Sequence, residues 1–115
     1  MQRFVIELAL LGLLAAPASL FADSSTPLMR RVEPGVAQAG DVVKVTGDNL
    51  GRANVAALYL TDGKNDTKVV IVEETTNSIV FKIPAETEQG RLTLMILTTG
   101  DSPKLLEEPV KITIQ

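Results

Sequence analysis

The sequence predicts an all-β fold, a sandwich of about seven short strands. Three observations predict it. Apolar and polar residues alternate along segment after segment, clusters of Gly, Pro, Asn and Asp separate the segments, and nothing beyond residue 27 sustains a helical period over about ten residues.

The chain opens on a leader. Arg3 gives a positive start, residues 8–16 (LALLGLLAA) are apolar, Pro17 breaks the run, and Ala18, Ser19 and Ala22 are small. That order is the layout of a secretory signal peptide, helical through its apolar part. Cuts after Ala18 and after Ala22 both fit it. The second is preferred, giving a signal peptide over 1–22 and a flexible mature start over 23–27. A spanning helix needs roughly 20 apolar residues, and the run between Glu7 and Pro17 has about half as many. No stable membrane span is expected after cleavage. The expected location is exported: periplasmic, cell surface or secreted. Without cysteine, such a domain has no disulfide to staple it, so its core must suffice.

Residues 28–115 are the expected domain. Residues 28–32 form a first strand, closed by Glu33-Pro34-Gly35. In 41–46 (DVVKVT), Val43 and Val45 share one face, with Lys44 and Thr46 opposite. Residues 47–51 (GDNLG) then read as a turn, because Gly, Asp and Asn tolerate positive φ. In 55–61 (VAALYLT), Leu58 and Leu60 are expected inside, and 62–66 (DGKND) is a polar hairpin tip. Residues 68–73 (KVVIVE) make a fourth strand. In 78–83 (SIVFKI), Ile79, Phe81 and Ile83 point inward before Pro84 ends the strand. Gly90 opens a strand with Leu92, Leu94 and Ile96 inside, and Pro109 precedes a last one carrying Val110, Ile112 and Ile114. The chain ends inside that strand, which suggests a free-standing module. A small barrel is the competing all-β architecture.

Composition removes much chemistry. With no His and no Cys, neither a Ser-His nor a Cys-His nucleophile can be built, and zinc loses its main ligands. Glu73-Glu74 and Glu107-Glu108 are neighbours in strand-like sequence, so each pair would split across two faces. Glu86 and Glu88 sit in a loop, on a domain too small to offer a glycosidase cleft. Asp62, Asn65 and Asp66, like Asp48 and Asn49, match no calcium-loop spacing, and tight turns select the same residues. No metal, no cofactor and no catalytic residue is expected. The chain carries 11 basic and 14 acidic residues, net charge −3, and Arg30-Arg31 is its one basic pair in the domain, so no nucleic-acid partner is expected. Asn65-Asp66-Thr67 fits the N-glycosylation acceptor pattern, which matters only in a eukaryotic secretory pathway.

Three stretches carry a family resemblance. They are Val32-Glu33-Pro34-Gly35 with Ala39-Gly40-Asp41; residues 43–51 (VKVTGDNLG), matching a G-x-N-F/L-G turn; and residues 79–84 (IVFKIP) followed by Gly90 and 92–96 (LTLMI). In these the chain resembles the IPT/TIG domain, here as a single copy similar to bacterial exported members. The resemblance spans 27–115 and implies an immunoglobulin-like β-sandwich with a role in protein contact or surface attachment. It implies no catalytic residues.

Residues 69–72 (VVIV) are four β-branched residues in a row, so apolar side chains leave both faces of one strand. If Val69 and Ile71 face the core, Val70 and Val72 face outward. At a sheet edge they would form a contact surface, or allow self-association by strand addition. Sugar stacking would fall to Tyr59 alone, because Phe81 is on the core face. The expected function is a non-catalytic binding or protein-interaction module with a protein partner. The alternatives are a glycan-binding module, with Tyr59 as its platform, and an accessory or inhibitor domain of a co-exported enzyme.

Overall fold

The computed structural model describes residues 26–115. The leader expected over 1–22, and the beginning of the 23–27 stretch, lie outside the described residues. Nine strands follow in order: β1 (Leu28–Glu33), β2 (Val36–Ala37), β3 (Val42–Asp48), β4 (Val55–Thr61), β5 (Asp66–Lys68), β6 (Val70–Glu74), β7 (Ser78–Lys82), β8 (Gly90–Thr98) and β9 (Leu105–Ile114). They form two sheets, a five-stranded one in the order β2-β9-β8-β4-β5 and a four-stranded one in the order β1-β3-β7-β6. Every pairing is antiparallel except β2 with β9.

The inward alternation drives this arrangement. Val43, Val45, Ile79 and Phe81 from the four-stranded sheet meet Leu58, Leu60, Leu94, Ile96 and Ile112 from the other, and all are buried. A strand exposes alternate residues to opposite faces, so each sheet can give one apolar face to a shared core. Leu50 and Ile83, just outside the strands, close its ends.

Three departures from the sequence reading have physical causes. The fourth strand is not one strand. Val69 donates its N–H to the Leu58 carbonyl at 3.0 Å, and immediately beyond it the chain leaves β4 to pair with β7. The segment expected as one strand thus serves both sheets, through β5 and then β6. The last strand begins at Leu105, not at Val110, and passes through Pro109. Its register against β8 shifts between Glu107 and Lys111, which is where a residue lacking an N–H can sit in a ladder. Gly47 is the last departure: it lies inside β3, and the positive φ of the turn belongs to Asn49, at 57°.

The two sheets are also tied by a carboxylate. β1 is an edge strand, and its register against β3 shifts between Met29 and Arg31. Glu108, at the β9 bulge, is buried and accepts that N–H through Oε1 at 2.7 Å. The two bulges face each other, and one charged hydrogen bond joins them.

Candidate contact surfaces

Val70 and Val72 lie on β6, the edge strand of the four-stranded sheet, and are 61% and 56% exposed. Strand alternation turns both valines outward while Ile71 packs on the core, and the register against β7 shifts between Ile71 and Glu73. Val70 pairs with Lys82, and Lys82 pairs with Val42, itself 55% exposed. A row Val42–Lys82–Val70 therefore crosses three strands on the outer face, with half-buried Val80 in the next row. Val42 was missed by the sequence reading, because nothing in 41–46 showed which strand lies across from 68–73.

Tyr59 is on the other sheet, so the sequence-predicted contact residues do not form one surface. It is half-buried, and its β4 position pairs with Met95 on β8 and Lys68 on β5. Residues opposite one another in a ladder share a face, and this is the outer face. Met95 and Ala57 are buried there without joining the core. Leu97 pairs with Ala57 on one side and Leu105 on the other. The result is an outward apolar patch of Ala57, Tyr59, Met95, Leu97 and Leu105. Residues 94–97 (LMIL) are a continuous apolar run of the same kind as 69–72, and that was the signal in the sequence that could have found it.

Two clefts open at the ends of the sandwich. The larger, about 400 Å³, is lined by Asn54, Thr98, Thr99, Ser102 and Lys104 among others. Its hydroxyls serve the loops: Thr99 Oγ1 donates to the Ala53 carbonyl at 2.6 Å, and Thr98 Oγ1 accepts the Lys104 N–H at 2.9 Å. The smaller, about 110 Å³, gathers Asp62, Asn65, Glu86, Thr87 and Glu88. Asp62 Oδ1 accepts the N–H groups of Asn65 and Lys64, and those bonds hold its carboxyl below the usual value. Among the described residues, no three acidic side chains stand close enough to hold a metal ion.

Two carboxylates have the opposite bias. Burial raises Glu108 above its ordinary 4.5, outweighing the lowering by the Met29 N–H. Burial likewise raises Glu74, with Arg52 at 4.0 Å opposing it. A folded carboxyl with a raised pKa binds a proton where the unfolded one has lost it. Its stabilisation is therefore full below about 4.5 and is lost as pH rises through the folded pKa. Glu108→Gln keeps an acceptor for Met29 and removes the charge. The variant is expected to be the more stable at pH 7, with the gap to the parent closing as pH falls toward 5. Urea midpoints across that range check this, and a gap constant in pH would remove Glu108 titration from the account.

No protein-family model and no curated protein matches the chain. Solved structures do. A γ-CGTase from alkalophilic Bacillus clarkii superimposes with TM-score 0.60 at 22% identity, over 77% of this chain and 12% of that one. The fold is an immunoglobulin-like β-sandwich. The SGBP-B of the Bacteroides ovatus mixed-linkage glucan utilization locus, solved with a mixed-linkage heptasaccharide, gives 0.56 at 18%, over 96% of this chain and 24% of that one. An auxiliary nutrient binding protein from the same species gives 0.55 at 19%, over 78% and 21%. This immunoglobulin-like chain thus spans about a quarter or less of the length of each, and the likeness is one of fold.

Proposed function

We propose that the chain is an exported, non-catalytic protein-binding module of the IPT/TIG type, sent out by a leader over 1–22. Its partner docks on the outer face of β6. The observation that carries this reading is the valine surface: Val42, Val70 and Val72 are each more than half exposed on one face, around Lys82. Exposed apolar groups that cluster in this way mark contact sites more often than isolated ones do. The matching partner surface is apolar, with a carboxylate placed to meet Lys82.

Val70→Lys tests it. The substitution is expected to change folding stability by no more than about 0.5 kcal/mol, the range of surface changes. In-cell crosslinking of the tagged chain, read by mass spectrometry, is expected to capture one stoichiometric protein that the variant loses. Equal capture by parent and variant would move the partner off this face, and unfolding of the variant would place Val70 in the core.

A second reading, a glycan-binding module, is favoured by the likeness to the heptasaccharide-bound SGBP-B. Its platform here would be Tyr59, since the other aromatic among the described residues, Phe81, is wholly buried. Quenching of Tyr59 fluorescence by mixed-linkage oligosaccharides would support that reading over the first.

A further inference from the structure

The outer face of the five-stranded sheet carries a charge pattern that the apolar patch alone does not reveal. The ladder sets out rows across β9, β8, β4 and β5. One row reads Glu107–Met95–Tyr59–Lys68, and the next reads Lys111–Thr93–Thr61–Asp66. All eight residues share the outward face, because each is paired with its neighbour. Charges stand only at the corners, and their signs alternate around the frame: negative and positive down the β9 side, positive and negative down the β5 side. None of the four belongs to a salt bridge among the described residues. The third row, Leu105–Leu97–Ala57, is wholly apolar.

A frame of this kind complements itself. Turn a second copy over about a two-fold axis lying along the strands, midway between β8 and β4. Glu107 then faces Lys68 of the second copy, and Lys111 faces its Asp66, each contact occurring twice. Met95 covers the other Tyr59, and Leu97 covers the other Ala57, so a large side chain meets a small one. Leu105 falls where the facing β5 has already ended at Lys68. The perpendicular two-fold also pairs opposite charges, but it lays the apolar third row over Arg91 and Thr113, which pair on the polar side of the frame. The first axis therefore satisfies charge and apolar contact together. Sheets stacked face to face keep their strands within about 30°, which this axis permits.

We infer that two copies of this chain associate face to face through the outer surface of the β9-β8-β4-β5 sheet. A protein of uniform charge would meet two repelling corners on the same frame. The interface is isologous, each copy giving the same patch. It leaves the valine surface on the opposite sheet open, so it goes beyond the proposed partner site and does not depend on it.

Sedimentation equilibrium of the full chain over a concentration series is the test. A reversible dimer is expected. Met95→Glu is expected to weaken it at least tenfold, as is Leu97→Glu, at the half-buried residue that covers the facing Ala57. Glu107→Lys sets like charges against each other twice and is expected to weaken the dimer by about 10-fold or more. Adding Lys68→Glu to it restores the opposite pairing and is expected to recover most of the loss. A monomer at every concentration overturns the inference, and so does a double swap that stays as weak as the single one. A dimer that resists Met95→Glu and Leu97→Glu but yields to Val70→Lys would place self-association on the other sheet, while capture of a different protein on this face by a monomeric chain would assign the patch elsewhere.

Discussion

Gly47→Ala is expected to destabilise the sandwich by about 3 kcal/mol or more, a large fraction of the stability that holds a domain of this size. A Cβ at position 47 would overlap the carbonyl oxygen of Leu28 and lie 2.9 Å from Met29 Cα and 3.0 Å from the Leu28 carbonyl carbon. Every one of these atoms is backbone, so no side chain can swing aside. Relief requires β1 to move away from β3, and β1 carries the wholly buried Met29 together with the N–H that Glu108 accepts. The edge would lose packing and a charged hydrogen bond in one step. Gly51→Ala is the control. Its Cβ would meet Thr76 Cα at 3.6 Å, an ordinary contact, and a change within about 0.5 kcal/mol is expected. Urea denaturation of both variants decides the matter. Parent-like stability of Gly47→Ala would mean that β1 does not approach β3 as closely as described.

Gly47 also shows what the sequence could and could not say. The glycine was legible as important, since it opens the G-x-N-L-G stretch, but the reason for it was not. A positive φ can be guessed from neighbours of turn type, and here Asn49 takes it. Close approach of a second strand depends on pairing, and pairing is non-local. The same distinction separates the rest of the fold. The inward sets Val43/Val45, Ile79/Phe81/Ile83 and Leu92/Leu94/Ile96 follow from period two alone, and all are buried. The start of β9 at Leu105 depends on a bulge that accommodates Pro109, and a proline normally argues against a strand interior. The outward patch was hidden for a related reason. Period two turns Met95 and Leu97 outward once Leu94 and Ile96 face inward, but only the partners Tyr59, Ala57 and Leu105 show that they join into one patch.

Val69→Lys and Val70→Lys, the same substitution one residue apart, are expected to have opposite outcomes. Val69 is buried at the point where the chain passes from one sheet to the other, its N–H held by Leu58. A lysine there places an ammonium in the buried apolar cluster that holds Val69, at a cost of about 3–5 kcal/mol for an unpaired buried charge. Val70 already faces solvent, and its lysine would lie beside Lys82 on the outer face. There the expected cost is within about 0.5 kcal/mol. The contrast tests the register of the crossing itself, since a shift of one residue exchanges the two faces. Should Val70→Lys be the variant that unfolds, β6 would present Ile71 and not Val70 to solvent, and the valine surface would vanish with it. Should Val69→Lys alone unfold, any partner lost by Val70→Lys is lost from an intact fold, and binding at β6 is separated from stability at the adjacent residue.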